Sequence, residues 1–464
     1  MTRHLHDLTA AELSAAYRQR SLSPVEVTEA VLERAEALNP ALNAFCHIDH
    51  DGARAAAAAS EARWDAGAPL GPLDGVPVSV KNALAMAGVT VSRGWKALKD
   101  NPPPATDAAP VRRMRAQGLI CFGSTTMPDL GGTGAGQSSA WGITRNPWNP
   151  DWNTGGSSSG CASALAAGIG PLSLGTDLGG SVRLPATFCG LSTIKPTQGV
   201  TSFLPPSTMR STGPMARTVR DTAMFLTALA GPDVADCYSL PGDGVVYEDG
   251  LQADVRGWKI GILESMGGDD AVDPVITRAL WEAAGLFEAA GAEIVRIPRI
   301  LEVDYLDTLH TAFGAISLGA VQGATEAKLA QLLPAVLASI RRAEAMSLQD
   351  YAVAMTVLEK AKSDVIAATA PFDVVLAPTC KVVNFAAQDV GPDPESFLSA
   401  IHYTAMFNQT GQPAAVTCAG FSEIGLPFGL QFIGKRFDDR KVLSAAAWYE
   451  ARRGFDISWP QPAV

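Results

Sequence analysis

The chain has 464 residues, of which 47% are hydrophobic and 18% charged, and its formal net charge is −11. This composition supports a large buried core and excludes a disordered or coiled-coil protein. An acidic protein lacks the basic footprint that nucleic acids and anionic membranes require, so we expect neither as a partner.

The predicted elements alternate between helices and strands. In chain order, helices are predicted at 8–19, 25–38, 53–66, 276–290 and 442–452, and strands at 76–80, 119–122, 172–174, 259–263, 294–297, 374–377, 414–417 and 428–433. The second helix is expected to begin after Ser23 and to stop near Pro40. The apolar runs scarcely alternate with polar residues, as is typical of strands buried on both faces. We therefore predict an α/β fold, a large mixed and mostly parallel sheet covered by helices on both faces.

The chain has no internal repeat and no low-complexity linker, so we predict one domain over residues 1–464. The stretch 301–360 is helical in pattern and lies between predicted strands. It is a candidate cap over a pocket.

The cysteine pattern and the N-terminal sequence indicate a cytoplasmic protein. Seven cysteines are widely spaced without a CxxC pair, which favours buried free thiols over disulfides or a zinc site. The chain starts MTRHLHD, without the apolar stretch of a signal peptide, and has no apolar run of membrane-spanning length. We expect a cytoplasmic protein that uses no metal ion and no cofactor.

Residues 153–200 form an unusual stretch dominated by glycine, serine and alanine, with the clusters GGSSSG at 155–160 and GTDLGGS at 175–181. A flexible linker would not need the apolar runs at 164–167 and 172–174 that interrupt it. No GxxxxGKS/T motif occurs, which weakens the interpretation as a phosphate loop. Consecutive glycines can also direct several backbone N–H groups at one oxyanion, so this stretch is a candidate catalytic region.

A serine nucleophile in this stretch needs a base. None of the six histidines lies in the stretch or in a motif. Lys81 ends the apolar strand predicted at 76–80, where burial would lower the pKa of its ammonium group and leave a neutral amine. On composition alone, a lysine that extends its ammonium group to solvent is the commoner outcome. Both interpretations stay open at this point.

These residues resemble the amidase signature family. The family pattern has four parts: a GVP strand with a terminal lysine, a GGSS loop, a GTDxGGSxR turn and a final CG…KPT segment. This sequence matches them, in that order, at 75–81, 155–161, 175–183 and 189–197. Further landmarks at 213–218, 408–414 and 429–434 extend the resemblance, in order, over nearly the whole chain. The resemblance implies the family's fold and the hydrolysis of amide bonds.

The resemblance also implies a role for individual residues. Ser181 corresponds to the nucleophile, Ser157 to a bridging serine that follows a cis peptide bond, and Lys81 to the base. Asp177 and Arg183 correspond to residues that brace the turn. The oxyanion hole is expected to be formed by the backbone amides of Leu178, Gly179, Gly180 and Ser181.

Several departures from the family pattern bear on the substrate rather than on the chemistry. Asn82 replaces a common aspartate, and residues 88–95 replace a threonine-rich loop. The loop at 131–136 has glycines where the family often has a larger side chain. We expect a roomy substrate pocket beside Ser181 at Gly131 and Gly132.

The sequence therefore predicts an amide hydrolase that acts through a Ser–cis-Ser–Lys relay and an acyl-enzyme. The expected substrates are small or aryl amides, with carbamates and esters as further candidates, and the expected partners are this small molecule and water. The alternative is the A subunit of a glutamine-dependent amidotransferase, for which no glutamine-binding or partner signature is recognised. A non-catalytic binding protein is disfavoured by the intact Lys81, Ser157 and Ser181. Symmetry statistics favour a homodimer if the chain self-associates.

Overall fold

The computed structural model describes residues 4–242, 244–252, 254–268, 271–302, 305–393, 396 and 398–462. The strands in these residues are β1 Phe45–Ile48, β2 Pro77–Lys81, β3 Ile120–Thr125, β4 Gln137–Ser138, β5 Gly142–Ile143, β6 Leu172–Asp177, β7 Ser192–Lys195, β8 Ser211–Ala216, β9 Lys259–Leu263, β10 Glu293–Ile297, β11 Val374–Pro378, β12 Ala414–Phe421 and β13 Pro427–Ile433. Among the described residues, eleven strands form one sheet in the order β1-β3-β2-β6-β8-β7-β12-β13-β11-β9-β10, and β4 pairs with β5 separately.

The α-helices of the same residues are α1 Ala10–Gln19, α2 Pro24–Leu42, α3 His50–Asp65, α4 Ala109–Ala116, α5 Ser159–Ala166, α6 Arg183–Cys189, α7 Val219–Leu229, α8 Pro274–Ala289, α9 Leu306–Ala320, α10 Glu326–Leu329, α11 Pro334–Glu344, α12 Leu348–Thr369, α13 Ala405–Gln409 and α14 Asp439–Glu450. Short 3-10 helices are found at Leu5–Asp7, Lys96–Leu98, Asp129–Gly131 and Ser399–Ile401. The helix expected to stop near Pro40 continues to Leu42 and ends at Asn43, which has a left-handed backbone. Pro40 lacks an N–H donor and its ring crowds the carbonyl of Glu36, which is consistent with the helix ending two residues later.

The large mixed sheet agrees with the predicted α/β fold. Parallel pairs are confined to the two flanks, β3-β2-β6 and β11-β9-β10. The five successive pairs from β6 to β11 are antiparallel, so parallel pairing is less frequent than expected. A short connection can join only antiparallel neighbours, and residues 422–426 alone connect β12 to β13.

Helices cover both faces of the sheet, as predicted. Val374 and Leu376 of β11 pack into a cluster with α7, α8 and α14. Val375 and Ala377, on the opposite face of the same strand, pack into a second cluster with α9 and α12. Successive strand residues point to opposite faces, so this alternation places β11 between two helical layers.

Helices α9 to α12 lie in the chain between β10 and β11, so the stretch predicted to be helical at 301–360 is helical over most of its length. Residues 303 and 304 of that stretch lie outside the described residues. Among the described residues, no helix is both long enough and apolar enough to cross a membrane. The cysteines are free thiols, as expected, but Cys237 is exposed and Cys46 is half-buried.

The ends of two neighbouring strands position the candidate site. Strands β2 and β6 pair in parallel, with Val80 opposite Leu174. Their carboxyl ends, at Lys81 and Asp177, therefore lie at the same edge of the sheet. Ligand sites of open α/β sheets are commonly formed at such carboxyl ends.

Candidate active site

Lys81, the last residue of β2, has a completely buried side chain. Its Nζ lies 2.8 Å from Ser157 Oγ and 3.0 Å from Thr176 Oγ1. It also lies 3.5 Å from the carbonyl oxygen of Thr176. The alternative interpretation, a strand-end lysine that extends to solvent, is therefore wrong.

The environment of Lys81 favours a neutral amine. Burial lowers the pKa of Lys81 from 10.5 to about 7, while Cys161 and Asp177 act in the opposite direction and Arg93 lowers the pKa further. Burial has this sign because the ammonium form loses its hydration. Near pH 7, a large fraction of Lys81 side chains can thus accept a proton.

Ser157 lies just before α5, in the glycine-rich loop. The Gly156–Ser157 peptide bond is cis, as the resemblance implied, and only 3% of Ser157 is exposed. A Cβ added at Gly156 would lie 2.3 Å from the carbonyl oxygen of Ala135, so only glycine fits between these two backbone segments. The close approach holds the segment that carries Ser157 against the loop at 131–136.

Ser181 lies in the turn between β6 and α6 and is half-buried. The backbone N–H of Ser158 donates to the carbonyl oxygen of Ser181 at 3.1 Å, which connects the two serine segments directly. Ser157 and Ser181 line the same cleft. The structure thus brings together all three residues predicted for the relay.

The amides predicted to form an oxyanion hole differ in their bonding. Gly180 N–H donates to Asp177 Oδ1 at 2.8 Å, so the prediction for this amide needs correction: the carboxylate three residues earlier already accepts its hydrogen. Within the described residues, the N–H groups of Leu178, Gly179 and Ser181 have no hydrogen-bond acceptor. Three backbone donors therefore remain available to a developing oxyanion.

Asp177 and Arg183 form a completely buried ion pair beneath this turn, with Nη2 and Oδ1 3.0 Å apart. Arg183 also donates to the carbonyl oxygen of Thr404 at 2.9 Å and to Asn408 Oδ1 at 2.6 Å. Burial alone would raise the pKa of Asp177, but the charge and hydrogen bonds of Arg183 hold it well below its ordinary value. Asp177 is therefore ionised and holds the amides of Gly180 and Val182 in place.

Sequence reasoning assigned no role to Thr176 or Asn408, although both occur in the matched motifs. Thr176 bonds to the Lys81 amine, and Asn408 Nδ2 donates to Asp177 Oδ1 at 2.9 Å. The motifs identified these positions, but spacing along the chain does not reveal which atoms meet. The first of these bonds connects the base to β6, and the second connects the turn to α13.

Gly131 and Gly132 line the cleft beside Ser181, at the place where the sequence predicted a pocket. A Cβ added at Gly131 would lie 3.1 Å from Ser157 Oγ, and one at Gly132 would lie 3.2 Å from Val336. Phe313 and Ile316 of α9 form the apolar wall together with Val336 of α11. Larger side chains at the two glycines would crowd this space.

Comparisons with known proteins identify relatives of this chain in sequence and in fold. A family model described as Amidase matches residues 26–443. The chain is 32% identical to the A subunit of the glutamyl-tRNA(Gln) amidotransferase of Synechococcus sp. (strain CC9605), covering 99% of both chains. A bacterial aryl acylamidase of the amidase signature family superposes with a TM-score of 0.89 at 29% identity, covering 97% of both chains. The 6-aminohexanoate cyclic dimer hydrolase superposes with a TM-score of 0.89 at 26% identity, covering 99% of both chains.

These relatives contradict the expected partners. We expected a lone chain, or a homodimer, that meets only a small amide and water and no nucleic acid. The name of the amidotransferase relative describes one subunit of an enzyme that acts on a glutamyl-tRNA, which favours the amidotransferase alternative over the small-amide prediction. Net charge and composition describe a whole chain, so neither could reveal a protein partner that a subunit meets through a local surface.

Proposed function

The chain belongs to the amidase family, and from this membership we propose that it cleaves carboxamide C–N bonds with Ser181 as nucleophile, Ser157 as proton relay and Lys81 as base. The observation that carries the proposal is the buried Lys81 amine 2.8 Å from Ser157 Oγ. A neutral amine donates two hydrogen bonds and accepts one. Here it can donate to the carbonyl and hydroxyl oxygens of Thr176 and accept from the Ser157 hydroxyl.

The reaction follows from this arrangement. Lys81 takes the proton of Ser157, Ser157 takes the proton of Ser181, and Ser181 Oγ attacks the amide carbon. The amides of Leu178, Gly179 and Ser181 stabilise the resulting oxyanion. The C–N bond breaks as the proton returns through the relay to the leaving nitrogen, and water then hydrolyses the acyl-enzyme by the same route.

Two candidate functions use this reaction. A subunit of an amidotransferase would release ammonia from glutamine for a partner. The amidotransferase relative, whose alignment covers 99% of this chain, favours this function. A stand-alone hydrolase would act on small or aryl amides, and the apolar wall formed by Phe313, Ile316 and Val336 favours this function. We propose that Gly131 and Gly132 admit the substrate and that helices α9 to α12 act as a cap.

One experiment separates these functions. Purified chain is incubated with glutamine and, separately, with acetanilide, and the released ammonia or aniline is measured. Release from glutamine alone supports the amidotransferase function, whereas release from acetanilide supports the stand-alone hydrolase. Ser181→Ala is the control and should abolish either release; hydrolysis that survives in this variant contradicts the proposed nucleophile.

A further inference from the structure

We propose that Arg93 and Arg210 form an anion-binding subsite in the catalytic cleft, and that the substrate carries a carboxylate in addition to its scissile amide. This inference rests on the proposed amide hydrolysis and specifies its substrate class. It predicts that an amide without any charge is a poorer substrate than one that carries a carboxylate.

Both arginines lie beside the candidate nucleophile. The cleft extends to either side of Ser181, one side bounded by Phe313 and Val336 and the other by Ser157 and Phe203. Arg93 and Arg210 line both sides, as Ser181 does. Both arginines are half-buried, so a molecule bound at Ser181 meets two partly dehydrated guanidinium groups.

Among the residues that the structure describes, neither guanidinium group has a counter-ion of its own. Within the described residues, no carboxylate forms an ion pair or hydrogen bond with either side chain, and Arg210 lies over the ring of Phe203 at 5.8 Å. Burial lowers the pKa of both arginines, and Arg93 lowers that of Arg210 further, to about 10. Two like charges that repel each other across a cleft are stabilised together by one bound anion.

The acidic residue in the lining of the cleft does not neutralise the two arginines. Asp177 is the only acidic residue among the described residues that line the cleft, and it is already paired with Arg183. A carboxylate ligand can accept paired hydrogen bonds from each planar guanidinium. The cleft thus offers two unneutralised cations and, within the same residues, no carboxylate for a substrate ammonium group.

The backbone holds Arg93 in place before any ligand arrives. Arg93 has φ = 50°, a left-handed conformation that a non-glycine residue rarely adopts. Asn82 Oδ1 accepts the N–H groups of Ser92 at 2.9 Å and Arg93 at 3.2 Å, and Leu130 N–H donates to the Arg93 carbonyl oxygen at 2.7 Å. Asn82 directly follows Lys81, so one strand end positions both the base and this arginine.

The substrate class that fits is an amide that carries a carboxylate and no ammonium group, such as a monoamide of a dicarboxylic acid or an N-acyl amino acid. Free glutamine satisfies the arginines through its α-carboxylate. Its α-ammonium group would face two cations. We therefore expect glutamine to be a poorer substrate than glutaramate, which has the same chain without the ammonium group.

The test compares matched pairs of substrates. Glutaranilic acid and valeranilide place a carboxylate or a methyl group at the end of the acyl chain, while 4-acetamidobenzoate carries on its amine side a ring carboxylate that acetanilide lacks. For at least one pair, kcat/KM of wild type should favour the anion about tenfold or more, as expected for hydrogen bonds to a charged group. Arg93→Gln and Arg210→Gln should each lower that ratio about tenfold, whereas Arg220→Gln, at an exposed position on α7, should leave it unchanged.

Two precautions keep the result interpretable. Rates are measured near pH 9, about two units above the pKa of Lys81, so that loss of Arg93 does not act through the base. Binding of the anilides to Ser181→Ala is measured by calorimetry, with and without Arg93→Gln. Absence of an anion preference in both pairs, or a preference that survives both arginine variants, overturns the inference. Absence of all hydrolysis together with arginine-dependent binding instead overturns the proposed function and leaves the subsite supported.

Discussion

Two buried lysines at the ends of different strands have similarly lowered pKa values but different hydrogen-bond partners. Lys81 ends β2 and Lys195 ends β7, and both side chains are completely buried. Burial lowers the pKa of each to about 7. Lys81 Nζ faces the hydroxyl groups of Ser157 and Thr176, whereas Lys195 Nζ donates to the carbonyl oxygen of Pro196 at 2.8 Å.

The comparison shows that a lowered pKa does not by itself make a lysine a base. A carbonyl oxygen has no proton to give, so the amine of Lys195 can only donate to it. A serine hydroxyl can give up its proton, and Ser157 lines the cleft beside Ser181. The hydrogen-bond partner, rather than burial, distinguishes the proposed catalytic lysine from the structural one.

The largest expected difference between the two lysines is in kcat. Lys81→Met removes the amine and keeps a buried side chain of similar length, so kcat should fall about 10²–10⁴-fold, as expected for loss of a general base. Lys195→Met is the matched control and should keep kcat within the same order of magnitude. Rates are measured on an amide that wild type hydrolyses, and circular dichroism checks that both variants fold. Equal losses in the two variants would show that burial, and not the partner, is what matters.

A third buried cation, Arg183, extends the comparison to stability. Asp177→Asn keeps the shape of the side chain but leaves Arg183 buried without a counter-ion, so the free energy of unfolding should fall by about 3–5 kcal/mol. Asp65→Asn, which removes the exposed partner of Arg20, is the control and should cost less than about 1 kcal/mol. Urea denaturation measures both. A small loss at Asp177 would mean that its neighbours, not the ion pair, hold the turn.

A smaller effect is expected in the pH dependence of stability, where the two lysines should behave alike. Between about pH 7 and pH 10, the unfolded chain keeps each ammonium group protonated while the folded chain holds a neutral amine, so stability rises with pH. Lys81→Met and Lys195→Met should each be more stable than wild type at pH 7, by about 1–3 kcal/mol, and lose this advantage towards pH 10. Urea denaturation at the two pH values measures the difference. A gain that does not vary with pH would contradict the lowered pKa of that lysine.

The sequence predicted the part of the site that depends on local pattern. The apolar run before Lys81 indicates a buried strand, and the motifs give the positions of Ser157 and Ser181. It did not predict β8, because Ser211–Ala216 contains glycine, proline and small polar residues typical of turns. That strand is buried by its pairing with β6 over six residues, a contact between distant segments that local composition does not encode.

The remaining features of the site that the sequence did not predict depend on which atoms meet after the chain has folded. The spacing of GTDLGGS does not reveal that the Asp177 carboxylate folds back onto the amide of Gly180. Arg93 lies in the loop at 88–95, whose departure from the family pattern was expected to bear on the substrate, whereas Arg210, 117 positions later, belongs to no motif to which the sequence assigned a role. Their meeting in the cleft depends on the loop after β2 and the residues just before β8, whose positions are set by the sheet.

The smallest predicted effect concerns the pH profile of kcat/KM, which reports the pKa of the free enzyme's base. With a neutral amide as substrate, kcat/KM should rise with pH through a midpoint near pH 7 and level off roughly one to two units above it, as Lys81 loses its proton. Arg93→Gln removes a positive charge that lowers the pKa of Lys81, so the midpoint should move to higher pH by less than about one unit. Lys195→Met should leave the midpoint in place, because its amine contacts the Pro196 carbonyl and not the relay. A midpoint that moves in Lys195→Met and stays fixed in Arg93→Gln would mean that Lys195 is the group that titrates, and would reverse the roles assigned to the two lysines.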